Sequence, residues 1–285
     1  MFRSGDGAVL PENIWWDART DEVVWVDIRR GTLHRGRLDG AVDGSNDRVV
    51  EIEAPLSAVQ PAVDGFVATL RDRVVLLDSE GKVLRTVAET PHAHEGLRLN
   101  DARVDPFGRL IVGAIDETTD AADARVFSID ADGGVRVIAG GFRNANGLDW
   151  TDAGDTWYIA DTTDTSVYRV PYGSHGPVGV LEPLLDGQAT DGLVLDADGC
   201  LWGAVFGEGV VRRWTSDADE VDSVSVPAPT VTSVGFGGPD LGTLLVATSR
   251  DGLSDDELSA HPQSGSIFRV DGRATGRPVH VFGAR

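Results

Sequence analysis

The feature that most constrains this fold is a strand–turn–strand unit that recurs six times along the chain. Each copy has a short apolar strand, a turn rich in Asp and Gly, and a second apolar strand, usually followed by a third. Apolar residues of successive copies are 44 residues apart from Val104 to Leu148, then 45 to Leu193 and 41 to Val234. About four short strands fit in such a span, which is the length of one propeller blade. The repeat therefore predicts an all-β fold, a six-bladed β-propeller.

The six copies account for the chain from end to end, so residues 1–285 are predicted to form a single propeller domain. The 35 glycines and 13 prolines favour many turns, and no segment has a sustained helical period of apolar residues. The longest irregular stretch, residues 251–265, is predicted to be an insertion in the sixth blade. A β-sandwich is the competing architecture, but sandwiches lack a fixed repeat of this length.

The composition argues against several classes of partner. A net charge of −21 would repel the phosphates of nucleic acids and anionic membrane surfaces. No stretch reaches the roughly 18 uninterrupted apolar residues of a membrane helix, and the N-terminus lacks the apolar run of a signal peptide. Cys200 is the only cysteine, which favours a reducing compartment. We expect a cytoplasmic protein, a monomer or weak homo-oligomer, with a small molecule as its partner.

Four oxygen-bearing side chains occupy one position of the repeat. Glu12, Asn100, Asn146 and Asp191 each lie five residues before the turn residue of their copy, where the sixth copy has Thr232. The second copy has no clear equivalent. The first residue of an inner propeller strand lies at one mouth of the central channel, so these side chains should converge there. Carboxylate and amide oxygens suit Ca²⁺, Mg²⁺ or Mn²⁺, and Zn²⁺ also accepts carboxylates. The alternative is that these residues only form turns, in which Asn and Asp are common.

Longer motifs around these positions resemble a known family. Residues 98–109 read Arg-Leu-Asn-Asp-Ala-Arg-Val-Asp-Pro-Phe-Gly-Arg, residues 146–150 read Asn-Gly-Leu-Asp-Trp, and residues 191–202 read Asp-Gly-Leu-Val-Leu-Asp-Ala-Asp-Gly-Cys-Leu-Trp. In this order they resemble the motifs of the senescence marker protein/gluconolactonase/luciferin-regenerating enzyme family, whose members are regucalcin-like six-bladed propellers. Residues 236–240 and 248–252 match as well, so the resemblance covers nearly the whole chain.

The resemblance implies an enzyme, a metal-dependent lactonase that opens a sugar lactone. One divalent ion (Ca²⁺, Zn²⁺, Mn²⁺ or Mg²⁺) would be held by Glu12, Asn146 and Asp191. Asp191 would also be the general base of the reaction.

The resemblance further implies that Arg98 and Asn100 contact the substrate. The nearest match to another acidic substrate contact of the family is Glu117, or its neighbour Asp116. One motif departs from the family, because its usual Gly-Glu-Gly-Pro around the first ligand is replaced here by residues 11–14, Pro-Glu-Asn-Ile. That change concerns the shape of the mouth and the choice of substrate.

Two other functions remain open on the same residues. An aryl-ester or organophosphate hydrolase would use similar chemistry, and Trp16, Phe66, Phe107 and Phe206 are the candidates for its apolar rim, although most of them are expected in the blade cores. A non-enzymatic calcium-binding propeller is the third reading.

Two histidines just before Arg98 form a His-x-His pair, His92 and His94. The usual partner spacing of a zinc site is absent, so we expect these side chains in a solvated loop near the pocket rather than on a metal.

Overall fold

The protein folds into six antiparallel sheets, seen in a computed structural model that describes residues 2–3, 8–119 and 121–284. In five of the six sheets, strands adjacent in the chain pair with one another. The first three sheets consist of β1 (Pro11–Asp17), β2 (Glu22–Asp27), β3 (Thr32–Gly36) and β4 (Arg48–Glu51); β5 (Ala58–Ala62), β6 (Gly65–Thr69), β7 (Arg73–Leu77) and β8 (Val83–Glu89); and β9 (Leu97–Val104), β10 (Leu110–Asp116), β11 (Ala124–Ile129) and β12 (Val135–Phe142).

The last three sheets repeat the arrangement with small variations. They consist of β13 (Ala145–Trp150), β14 (Thr156–Asp161), β15 (Ser166–Gly173), β16 (Gly176–Pro177) and β17 (Glu182–Asp186); β18 (Thr190–Leu195), β19 (Leu201–Val205), β20 (Val210–Trp214) and β21 (Glu220–Ser225); and β22 (Val231–Gly237), β23 (Thr243–Thr248) and β24 (Ile267–Asp271). In the fourth sheet β15 pairs with both β16 and β17.

The first strand of each sheet belongs to an inner ring. These strands contact one another in the order β1, β5, β9, β13, β18 and β22, and β22 returns to β1. Every residue of β1, β5, β13, β18 and β22 is buried, whereas the outer strand β8 is mostly exposed. The six-bladed β-propeller predicted from the repeat is thereby confirmed, with large residues such as Trp150, Trp157 and Trp202 fully buried in the blades.

The predicted insertion in the sixth blade joins β23 to β24 and contains a short helix, α1 (Asp255–Ala260). Ser254 caps this helix, its Oγ accepting from the backbone N–H of Glu257, and none of the helical residues is buried. A six-residue helix without a buried face leaves no apolar period in the sequence, which is why the pattern did not reveal it. No helix in the described ranges has the length and apolar character needed to span a bilayer.

The ring is closed by the start of the chain. The backbone N–H groups of Phe2 and Arg3 donate to the carbonyl of Ile267 at 2.7 and 3.0 Å, and Ile267 donates back to Arg3 at 3.0 Å. The N-terminal residues therefore extend the sheet of the sixth blade beyond β24. The Arg3 side chain fixes this closure, because its Nε and Nη2 donate to the two carboxylate oxygens of Asp47 at 2.5 and 2.6 Å.

Replacing Arg3 by Ala is expected to destabilise the protein by about 3–5 kcal/mol, because Asp47 would become an unpaired buried charge. Both side chains of the pair are only 4% exposed. Urea unfolding at equilibrium measures the loss. The matched control is Arg37→Ala, whose ion pair with Asp39 is exposed and should contribute less than about 1 kcal/mol. A loss as small as that of the control would show that the Arg3 pair does not hold the ring closed.

The last residues of the chain lie across the face where the inner strands end. Ala197 donates to the carbonyl of Thr275, Gly276 donates to that of Leu241, and Phe282 donates to that of Pro61. Gly283 then bonds Gly108. These partners belong to the hairpins of four different blades, so the tail crosses the end of the channel opposite to the first residues of the inner strands.

Candidate functional site

Breaks in strand register turn the shared side chains towards the channel. In β13, Ala145 pairs with Asp161 and Leu148 with Ile159, so Asn146 and the residue after it lie outside the ladder. A β-bulge of this kind redirects side chains that a regular strand would alternate. Comparable breaks occur in β1, β9, β18 and β22, at or beside the shared position, whereas β5 pairs regularly with β6. The second blade therefore lacks the break that redirects the shared side chain in the other five, and the sequence had given no clear equivalent there.

One pocket of about 320 Å³ collects the predicted residues at this end of the channel. All six residues inferred from the sequence line it, namely Glu12, Arg98, Asn100, Glu117, Asn146 and Asp191. The remaining lining residues are Leu10, Ile28, Arg29, Ile115, Asn144, Phe206, Ser249 and Asp251. The volume lies near the lower end of the range typical of small-molecule sites, so the pocket suits a compact ligand.

Two acidic groups, Glu12 and Asp191, lie at the buried end of the site, and the charge of a third, Asp101, acts on both. Burial raises the pKa of Glu12 well above its usual value, and the nearby charges of Asp191 and Asp101 raise it further. Burial likewise raises the pKa of Asp191, again with a contribution from Asp101. Within the described ranges no ion pair reaches the carboxylate of Glu12 or Asp191. The charge of Arg98 offsets only part of this rise in the pKa of Glu12 and Asp191. The carboxylates therefore provide the donors and the negative charge that a hard divalent cation requires.

Asn146 completes the oxygen set. Its Nδ2 donates to Asp191 Oδ1 at 2.5 Å and to Thr162 Oγ1 at 3.0 Å, and Thr162 in turn donates to the carbonyl of Thr190. Because these bonds occupy the amide nitrogen, the amide oxygen is the atom left to bind a cation. The three residues that the resemblance implied as ligands therefore fit a divalent ion.

Asn100 differs from Asn146 although both occupy the shared position. Its Oδ1 accepts from Arg98 Nη1 at 2.9 Å, and its Nδ2 donates to Asn144 Oδ1 at 2.9 Å. Both ends of this amide are therefore bonded to protein. The bonds set Asn100 apart from the cation-binding set and place it on the wall of the pocket beside Arg98.

Arg98 is a buried cation whose counter-ion is Glu117. Burial lowers the pKa of Arg98, and Glu117 partly offsets this effect. The Nε atom of Arg98 lies 3.0 Å from Glu117 Oε1, although the two are not aligned as a hydrogen bond. Burial works to raise the pKa of Glu117, but Arg98 and Arg29 hold it below its usual value. The alternative acid, Asp116, bonds instead to its own loop through Thr118 and Thr119, so Glu117 is the acid that faces the site.

A second set of residues around the pocket was only partly anticipated by the sequence analysis, which named Glu117 and Phe206 but not the others. It is formed by residues one to three positions after the second strands of five blades, where the chain turns over the same mouth: Arg29, Glu117, Thr162, Phe206, Ser249 and Asp251. Their side chains differ in chemistry, so no common residue type marks the position. Their distance from the end of the second strand varies from one to three residues, so the strand ends locate the turns but not the individual side chains.

Asp101 appears in the sequence analysis only within the motif of residues 98–109, without a predicted role. Burial raises its pKa, and its Oδ1 accepts from Asn13 Nδ2 at 2.8 Å. Asn13 adopts φ +49°, a left-handed conformation that Asn tolerates better than most residues. The departure from the family motif around Glu12 thus places an amide against this third acid.

Only one of the four aromatic candidates lies at the pocket. Phe206 lines it and is 44% exposed. Phe66 is buried in its blade, Trp16 lies near the C-terminal tail, and Phe107 belongs to a hairpin at the opposite end. The rim is therefore mixed, with one aromatic ring among polar groups.

A further set of possible ligands lies beside the pocket. His94, Asp116 and Asp123 each offer one ligand atom, and these atoms lie within 4.8 Å of one another. The sequence disfavoured a metal role for His94 because the usual partner spacing is absent, and the structure supplies Asp116 from the end of β10 and Asp123 from the loop after it. However, His94 Nδ1 accepts from the N–H of Gly96, so Nε2 carries the proton and donates to Asp123 Oδ2 at 3.2 Å. These hydrogen bonds hold His94 against the loop that carries Glu117.

Comparisons with known proteins identify relatives that match most of the chain. The family model described as SMP-30/Gluconolactonase/LRE-like region matches residues 10–250. A 6-deoxy-6-sulfogluconolactonase from Pseudomonas putida is 34% identical over 266 residues, which cover 92% of this chain and 90% of the relative. A pentonolactonase from Haloferax volcanii is 32% identical, with 97% and 93% covered.

Solved structures give the same picture. A calcium-binding protein, regucalcin from Agrobacterium tumefaciens, has a TM-score of 0.90 and 27% identity, covering 100% of this chain and 98% of its own. The similarity therefore extends over all six blades rather than over one motif.

Proposed function

The chain belongs to the SMP-30/gluconolactonase/LRE-like family, and on that premise we propose that it is a divalent-metal-dependent lactonase that opens a sugar (aldono) lactone. The main support for the proposal is that one pocket contains two different sets of functional groups. Glu12, Asn146 and Asp191 form an oxygen set for a cation at the buried end, and Arg98 and Glu117 lie on the wall beside it. Polar, charged walls suit a substrate with several hydroxyl groups.

Glu12, Asn146 and Asp191 are the residues that would hold the ion. When bound, a divalent cation supplies a Lewis acid for the lactone carbonyl and keeps neighbouring carboxylates ionised. The all-oxygen set accepts several hard ions, so Ca²⁺, Zn²⁺, Mn²⁺ and Mg²⁺ are all candidates. The raised pKa values of Glu12 and Asp191 support this assignment, because neutralising two buried acids is what a cation would do.

Asp191 is the proposed general base. Its carboxylate takes a proton from water while the water oxygen adds to the carbonyl carbon of the lactone. The bond between that carbon and the ring oxygen then breaks, and the proton passes from Asp191 to the departing oxygen. The product is a hydroxy acid, and the carboxylate is restored. The bond from Asn146 Nδ2 to Asp191 Oδ1 orients the base and leaves its second oxygen for the water.

Arg98 and Asn100 are the proposed substrate contacts. Arg98 Nη1 is bonded to the Leu99 carbonyl and to Asn100, which leaves Nη2 as the donor for a substrate oxygen. A guanidinium fixed in this way stabilises developing negative charge without reorganising during the reaction. Glu117 is proposed to accept from a substrate hydroxyl while it balances the charge of Arg98.

A second candidate function has one observation in its favour. Phe206, together with Ile28 and Ile115, gives part of the pocket an apolar surface. An aryl ester or organophosphate would place its apolar group there and use the same buried oxygen set. A calcium-binding protein without turnover is the third possibility.

One experiment separates these functions. The protein is stripped of metal with a chelator, resupplied in turn with Ca²⁺, Zn²⁺, Mn²⁺ and Mg²⁺, and assayed by proton release on a panel of aldonolactones, an aryl ester and an organophosphate. We expect lactone hydrolysis with at least one cation and none in the stripped protein.

Equal hydrolysis by the stripped protein would contradict the metal dependence. Faster turnover of the aryl ester or organophosphate than of every lactone would favour the second function. Cation binding, seen by calorimetry, without turnover of any substrate would favour the binding protein.

A further inference from the structure

Arg29 lies at the outer edge of the pocket and joins three blades. It belongs to the turn between β2 and β3, and its side chain is 44% exposed. Its Nε donates to Asp251 Oδ2 of the sixth blade at 2.8 Å, and its Nη1 donates to Glu117 Oε1 of the third blade at 3.0 Å. Gly31 makes this turn possible, because it adopts φ +66° and a Cβ there would lie 2.4 Å from the backbone of Ala54.

Glu117 Oε1 lies within 3.0 Å of two guanidinium groups at once, those of Arg29 and Arg98. Within the described ranges, no protein group bonds to the other oxygen, Oε2, or to Arg29 Nη2. The mouth therefore presents one unused acceptor and one unused donor on neighbouring side chains. A hydroxyl group both donates and accepts a hydrogen bond, so this pairing matches hydroxyls rather than a purely apolar substituent.

The charges at the mouth also favour an uncharged group. Arg29 is paired with two carboxylates, and although burial works against its charged form, Asp251 and then Glu117 raise its pKa. Arg29 and Arg98 carry two positive charges, and Glu117 and Asp251 carry two negative charges. The net charge of these four side chains is therefore zero. An anionic substituent would have to compete with Glu117 and Asp251 for the guanidinium, whereas a hydroxyl can bond without displacing either.

We propose that Arg29, acting with Glu117, is a specificity-determining residue that binds hydroxyl groups on the part of the lactone farthest from the cation-binding residues. This inference rests on the proposed lactonase function. It assigns the buried residues to the reacting ester group and the mouth to the hydroxylated remainder of the substrate. A purely structural role, in which Arg29 only ties the blades together, would instead affect all substrates alike.

The test compares two six-membered lactones, glucono-1,5-lactone and the unsubstituted δ-valerolactone. In Arg29→Ala we expect kcat/KM for gluconolactone to fall about tenfold or more, mainly through KM, because charge-assisted hydrogen bonds are lost. The value for δ-valerolactone should change by less than about twofold, since it has no hydroxyl to bind. Arg30→Ala is the matched control, because Arg30 lies in the same turn but pairs with Asp27 away from the pocket.

A second variant guards against a folding defect. Asp251→Asn removes one anchor of Arg29 with little change in volume, and exposed ion pairs of this kind contribute little to stability. We expect a loss of about threefold on gluconolactone and none on δ-valerolactone, with the melting temperature unchanged.

Equal losses on both lactones, or no loss on either, would overturn the inference while leaving the lactonase function in place. A wild-type protein that hydrolyses neither lactone with any cation would overturn the proposed function and this inference with it.

Discussion

Replacing Asp191 by Asn is expected to lower kcat/KM for lactone hydrolysis by at least about a thousandfold, since proton transfer by a positioned base contributes roughly 10²–10⁴. The same change removes a negative ligand, so cation affinity should fall as well. The amide retains the shape of the side chain and can still accept from Asn146 Nδ2. The expected loss is therefore one of charge and basicity rather than of packing.

Two measurements make this prediction specific. Burial raises the pKa of Asp191, so the ionised form is costly in the metal-free protein. The melting temperature of metal-free Asp191→Asn should then be no lower than that of the wild type, whereas the rise on adding cation should shrink. Asp186→Asn is the control, because Asp186 is exposed and, among the described residues, its carboxylate accepts a hydrogen bond from the N–H of Gly187 alone. Hydrolysis at the wild-type rate by metal-free Asp191→Asn would refute the role of this residue.

Replacing Gly147 by Ala is expected to cost about 3 kcal/mol of stability and to weaken cation binding. A Cβ at this position would lie 2.3 Å from both the carbonyl oxygen of Asp191 and the backbone nitrogen of Leu193. Neither atom belongs to a flexible side chain, so β13 and β18 would have to separate. Separation would move Asn146 away from Asp191 and open the oxygen set.

Gly173→Ala is the control for the second prediction. A Cβ there meets nothing within 4 Å, so the change should stay within about 0.5 kcal/mol. Chemical unfolding and calorimetric titration with Ca²⁺ or Mn²⁺ measure the two effects. If Gly147→Ala binds the cation as tightly as the wild type, the close approach of the two strands is not what holds the ligands together.

The propeller could be predicted because its repeat consists of local sequence patterns. Apolar strands and Asp-Gly turns are determined by neighbouring residues, and six copies reinforce one another. Glu12, Asn100, Asn146 and Asp191 could be placed together for the same reason, since symmetry maps one sequence position to one place around the axis. The sequence spacing alone did not separate the metal ligands from the substrate contacts, because it does not reveal the hydrogen bonds of Asn100 to Arg98 and Asn144.

Asp101 and Arg29 could not be found in this way, each for a different physical reason. Asp101 follows Asn100 directly, and in a regular strand neighbours point to opposite faces, so only the bulge brings both to the channel. Arg29 lies in a turn whose counterparts in other blades are Glu117, Thr162 and Phe206. Its two partners come from loops of irregular length, and irregular loops carry no register from which a contact can be counted.

The C-terminal tail has a consequence for the order of events at the site. Because it lies across the far end of the channel, we infer that molecules enter and leave by the mouth framed by Arg29, Glu117 and Asp251. A product molecule must therefore leave before a new substrate molecule can bind, because both use the same opening and cannot pass through the propeller in a single direction.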